Sequence, residues 1–87
     1  MNINLDLTSL QVLADPLIKQ IFKLIVSSRT VPRYEIQAKE SLPKEELDIA
    51  LLKLESAGLI EKSTSSLQEF DQFFPTGSGL SIEKLVK

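Results

Sequence analysis

Three prolines and one glycine cut this chain into short segments, and that punctuation constrains its fold more than any other feature. A proline is well tolerated in a helix only at its start, where its missing N–H would have had no partner. Pro16 follows Asp15, an N-cap residue, and leads a run in which Leu17, Ile18, Ile21, Phe22, Leu24 and Ile25 recur at helical spacing. A helix is predicted from Pro16 to about Ser27. Ser28 to Pro32 then reads as a connector, with Pro32 opening a shorter helix that carries Tyr34, Ile36 and Ala38. Pro43 begins a third helix, in which Leu47, Ala50, Leu51 and Leu54 form the inward stripe. Glu45 and Glu46 sit in its first turn, where the helix dipole favours negative charge. Gly58 ends it, in the position of a left-handed C-terminal cap.

The two ends are read from different signals. Ile3, Leu5 and Leu7 alternate with Asn2, Asn4 and Asp6, a period of two that predicts a strand or extended arm over residues 1–8. Ser9 then caps a short helical run to Ala14. After Gly58, Leu59 to Lys62 begins a strand, Ser63 to Ser66 makes a polar turn, and Leu67 to Phe74 returns as a second strand. Thr76 caps a last helix carrying Leu80, Ile82, Leu85 and Val86. The expected architecture is one domain over residues 1–87, mainly α with a small β-hairpin at 59–75 and a C-terminal helix at 76–87.

Composition removes most chemistry. The 87 residues are 43% hydrophobic and 25% charged, as in an ordinary globular domain, and include neither cysteine nor histidine. Thiolate chemistry, disulfides, most zinc sites and histidine-based catalysis are thereby excluded. No serine has a base to activate it, and Gly77 and Gly79 are not followed by the lysine of a phosphate loop. No enzyme activity, metal or cofactor is expected. The longest apolar stretch, Ile21 to Val26, is interrupted by Lys23 and is too short to span a bilayer. Met1 to Thr8 holds no basic residue and no apolar core of a signal peptide, so a cytoplasmic location is expected. The net charge of −2 offers no bulk attraction to nucleic acid or an anionic membrane.

Three stretches resemble the bacterial winged helix-turn-helix repressors of the MarR, ArsR and PadR types. Leu13-Ala14-Asp15-Pro16 with Ile18, Ile21 and Leu24 is similar to the opening of the ArsR first helix. The run from Leu51 to Ile60, Leu-Leu-Lys-Leu-Glu-Ser-Ala-Gly-Leu-Ile, resembles the end of the recognition helix and the start of the wing. Phe74-Pro75-Thr76-Gly77-Ser78-Gly79 is similar to the step that follows the wing in the MarR and PadR types. The resemblance covers roughly residues 10–87 and implies a winged helix whose third helix would present Lys44, Glu45, Asp48, Ile49 and Leu52 to the major groove.

Charge argues against that use. From Pro43 to Ala57, Lys44 and Lys53 face Glu45, Glu46, Asp48 and Glu55, a local −2 beside a phosphate-lined groove. The polar turn Ser63–Ser66 has no arginine for a minor groove. Ile49 and Leu52 are either part of a broad stripe covered by the hairpin or N-terminal arm, or an exposed apolar patch flanked by acids, which suits a protein partner. The sequence therefore favours a non-enzymatic regulatory module acting through a protein partner or homodimer, with Glu45, Asp48, Ile49 and Leu52 as interaction residues. The alternative is a DNA-binding regulator using Arg29, Arg33, Lys39, Lys44 and Lys62. Leu80, Leu85 and Val86 are the dimerisation candidates, pairing with the Leu5 and Leu7 region or with their symmetry mates. The competing arrangement is a monomer whose last helix packs on its own Pro16 helix.

Overall fold

The computed structural model describes residues 4–84, with side chains from residue 9 onward. In chain order the elements are α1 (Asn4–Leu13), α2 (Pro16–Ser28), β1 (Val31–Pro32), α3 (Arg33–Glu40), α4 (Lys44–Ser56), β2 (Ile60–Ser63), β3 (Gln72–Pro75) and α5 (Gly77–Glu83), with a 3-10 turn at Gln68–Phe70.

The caps explain the breaks. Asp15 accepts the Leu17 N–H at 2.9 Å and Pro16 begins α2. Pro32 and Pro43 sit one residue earlier than expected, as the extended residues that precede α3 and α4. At the end of α4 the Leu59 N–H reaches the Leu54 carbonyl and the Gly58 N–H reaches the Glu55 carbonyl, each at 3.0 Å, with Gly58 at φ +77°. This pair of bonds satisfies carbonyls the helix leaves open and turns the chain into β2. Leu54 and Leu59, the two apolar residues across that turn, are both buried.

Helix α2 is the hub. Ile18, Ile21, Phe22 and Ile25 are buried against α1, α3, α4, α5 and β3. Leu47, Ala50, Leu51 and Leu54 of α4 close over it, the same stripe that the spacing predicts. Thr76 ties the C-terminal end to this core: its hydroxyl donates to the Gly58 carbonyl at 2.6 Å and accepts the Gly79 N–H at 2.9 Å. Gly79 lies so close to the Leu59 carbonyl that no Cβ could fit between them. Ile82 of α5 is buried, and α5 packs on α2.

Three expectations are corrected. Residues 4–13 form a helix where alternation predicted a strand or arm over 1–8, and Ser9 lies inside it rather than at its start. Three alternating positions are too few to fix a period. The periodicity that is buried is helical, Ser9 and Leu13 four apart, packing on α2 and α4. Met1–Ile3, Leu85 and Val86 lie outside the described residues. Second, the returning strand starts at Gln72, not Leu67, because residues 68–70 coil into a 3-10 turn closed by the Phe70 and Asp71 N–H groups. Third, Val31–Pro32 is a strand rather than a plain connector. It pairs with β3 (Val31 opposite Phe73), giving an antiparallel sheet in the order β1-β3-β2. Proline is tolerated there because β1 is an edge strand.

Candidate recognition surface

The surface is built by α4, the start of α3 and the hairpin. On α4 the residues opposite the buried stripe are Glu45, Ile49, Leu52 and Ser56, spaced four, three and four apart, and all are exposed. Ile49 is 55% and Leu52 62% exposed, so neither hairpin nor N-terminal helix covers them. They overlook different grooves. Leu52 borders one of about 220 Å³ between α4 and the hairpin, with Arg33, Asp48, Glu55, Lys62 and Phe73. Ile49 borders another of about 160 Å³ beside the start of α2, with Asp15, Leu17, Glu46 and Lys53.

Arg33 departs most from its expected role. It is only 3% exposed, and its guanidinium Nη2 pairs with Asp48 Oδ1 and donates to the Lys44 carbonyl at 3.3 Å. Its backbone N–H donates to the Asp71 carbonyl at 2.8 Å. One residue thus joins α3, α4 and β3's approach, and it is withdrawn from any surface ridge with Arg29, Lys39 and Lys44. The physical reason is its position: as the first residue of α3, directly after β1, it points under the start of α4, where Asp48 waits one turn in. Asp48, expected as an interaction residue, is correspondingly engaged from two sides, since Lys44 Nζ stands 3.4 Å from its Oδ2.

The remaining cations stay outside. Arg29, Lys39, Lys44 and Lys62 are exposed. Lys39 stands 3.6 Å from Glu35 and Lys44 near Asp48, both exposed i,i+4 pairs of the kind worth only a few tenths of a kcal/mol, about 0.3–0.5. Such pairs release readily to another anion. Glu45, Glu46, Glu55, Glu61 and Glu69 have no ion-pair partner among the described residues.

Two features of the connection from β2 to β3 had no clear sequence signal. Asp71 is buried and accepts the Ser65 N–H at 2.7 Å, which folds the tip back on itself. Phe70 meets Tyr34 edge-to-face at 5.8 Å, joining the connection to α3. An acid and an aromatic beside a polar turn hinted at neither contact: Tyr34 is 36 residues from Phe70, and Asp71 meets Ser65, six residues back, only once the 3-10 turn at Gln68–Phe70 brings the two together. Phe73 alone of the three clustered phenylalanines is fully buried; Phe74 is half-buried and Phe70 exposed.

A helix-turn-helix of α3 and α4 followed by a hairpin of β2 and β3 that β1 extends to a three-stranded sheet recurs in solved structures. HlyU from Vibrio cholerae superposes with a TM-score of 0.82 at 16% identity, covering 99% of this chain and 94% of that one. The fold is a winged helix. A transcriptional regulator homologue from Pyrococcus horikoshii matches at 0.77 and 22% identity, over 86% of this chain and 76% of the other. A MarR-family regulator from Silicibacter pomeroyi matches at 0.71 and 15% identity, over 94% of this chain and 56% of its own. No protein-family model matches the sequence, and no curated protein is similar to it at a significant level. At these identities the likeness concerns the winged helix itself, with α4 as its third helix and residues 60–75 as its wing.

No described helix is long and apolar enough to cross a membrane. In α5, Ile82 is the residue turned into the core against α2, while Leu80 is half-buried. The last helix thus packs on the Pro16 helix of the same chain.

Proposed function

We propose that this chain is a non-enzymatic, cytoplasmic transcriptional regulator that contacts duplex DNA through α4 and the wing. The observation that carries this reading is the near-complete superposition on HlyU and on two solved proteins named as transcriptional regulators or their homologues. It supports the DNA-binding alternative over the protein-only reading that local charge favoured. Backbone contacts fall to the exposed cations Arg29, Lys39, Lys44 and Lys62, without Arg33. The outward stripe of α4 has a matching base chemistry. Ile49 and Leu52 suit thymine methyl groups, and Glu45 can accept from the cytosine amino group.

Four phosphate contacts per protomer predict a salt slope of about −3.6 for one bound protomer and about −7.2 for a dimer, from roughly 0.9 per phosphate on B-DNA. The test is selection from a random duplex pool, followed by fluorescence anisotropy of the enriched duplex across a salt series. Enrichment of a defined sequence with a slope of either size supports the reading; no enrichment, or a slope near zero, overturns it. A homodimer with half-sites about 34 Å apart fits the same reading. Its contacts would come from Leu80 with Leu85 and Val86 beyond it. Sedimentation at micromolar concentration giving only the 9.7 kDa species would count against the dimer.

A second reading, protein docking on the same face, is favoured by one specific observation: the exposed Ile49 and Leu52 beside Glu45 and Glu55, which carry no ion-pair partner among the described residues.

A further inference from the structure

The exposed apolar side chains are not scattered. Of the six large hydrophobic residues exposed among those described, Tyr34, Ile49, Leu52, Leu67 and Phe70 lie on α3, α4 and the wing connection, and only Leu10 lies elsewhere. Isolated surface hydrophobes need no explanation, but this concentration on one side of a small domain does.

Charge is segregated in the same way. Residues 44–71 carry seven acidic and three basic side chains, a net −4, whereas the rest of the chain carries five acidic and seven basic ones, a net +2. Within the acidic half, Lys44 is engaged by Asp48, and Glu45, Glu55 and Glu69 stand exposed or half-exposed around the apolar residues without ion-pair partners among the described residues. An apolar centre rimmed by free carboxylates is the surface complement of an apolar stripe flanked by lysine or arginine.

The shape narrows the occupant further. Ile49 and Leu52 form a ridge along α4, with a groove on each side of it, one towards the wing and one towards the start of α2. A ridge between two grooves is the surface against which another helix packs. The wing-side groove has Phe73, Leu51, Glu55 and Lys62 among its lining, with Arg33, whose charge is already paired with Asp48.

We propose that α4 and the wing form a docking site for a cationic amphipathic helix of a partner protein. Its apolar stripe would cover Ile49 and Leu52 and enter the wing-side groove, and its basic flanks would face Glu45, Glu55 and Glu69. The inference rests on the protein-docking reading of this face, not on the DNA reading. It also gives the face a logic: helix and duplex claim the same ridge and exclude one another.

The test uses the full chain, labelled with 15N, and three probes. One is a synthetic helix-forming peptide with leucine at every third and fourth position and lysine at the rest. The second has the same leucine pattern with glutamate in place of lysine. The third is a random-sequence duplex. The lysine peptide is expected to shift the amides of residues 45–56 and 67–70, and the glutamate peptide to leave them unmoved. Because Ile49 and Leu52 are exposed, I49S and L52S should melt like the parent, and each should weaken the lysine peptide roughly tenfold. The proposal is overturned if the lysine peptide's shifts fall elsewhere, if both peptides bind alike, or if both serine variants bind the lysine peptide within twofold of the parent. Duplex binding at this face with no peptide binding would sink the docking site and leave the DNA reading standing; peptide binding without duplex binding would do the reverse.

Discussion

Breaking the Arg33–Asp48 pair from its two ends should give unequal losses. The Arg33 side chain is 4% exposed, whereas the Asp48 side chain is 38% exposed. Asp48→Asn leaves a buried cation facing a neutral amide, with the Lys44 carbonyl as its remaining acceptor among the described residues. Stranding a fully buried charge costs about 3–5 kcal/mol, and the partial exposure of Asp48 reduces that here to about 2 kcal/mol. For a domain of this size such a loss lowers Tm by roughly 8–16 °C. Arg33→Met strands only the carboxylate, which water already reaches, and methionine fills much of the space of the arginine stem. Its cost should stay below about 1 kcal/mol. Thermal and urea melts of the two variants check the order. If Arg33→Met proves the more damaging, or if Asp48→Asn melts within a degree or two of the parent, the assignment of a buried cation at this junction is mistaken.

Other substitutions separate conformational from steric demands. Gly79→Ala should cost about 3 kcal/mol in urea unfolding, because its Cβ meets the Leu59 backbone, while Gly58→Ala should cost only about 1 kcal/mol for the left-handed conformation, since open space surrounds it. Arg29 holds φ 69° and ψ −37° at the end of α2, so Arg29→Gly should raise stability by about 0.5–1 kcal/mol in the same assay. Lys62→Ala, on an exposed strand position, should leave the melt unchanged and flatten the salt dependence of duplex binding by about one phosphate contact, roughly 0.9 in slope.

What the sequence disclosed was its local grammar. Asp15-Pro16, the apolar stripe of α4, Gly58 and Thr76 each act within four or five residues of themselves, and all occupy the places their chemistry implies. The helical N-terminus was missed because Ile3, Leu5 and Leu7 alternate over too short a span, while the buried face of α1 depends on α2 and α4. Strand β1 was missed because two residues carry no period; Val31 becomes a strand only when Phe73 lies opposite. Arg33 reads as a surface cation in the sequence because its partner, Asp48, is fifteen residues away. The exposure of Ile49 and Leu52 likewise depends on where the wing and α1 pack, which the local spacing does not carry.

The central claim is that α4 and the wing are the working face of this winged helix. The most direct measurement is an amide-resolved NMR titration of the labelled chain with the duplex enriched from a random pool. Shifts are expected to gather on residues 44–52 and on the β2 end of the wing around Lys62. Shifts gathered instead on Lys19 and Lys23 of α2 would contradict that claim.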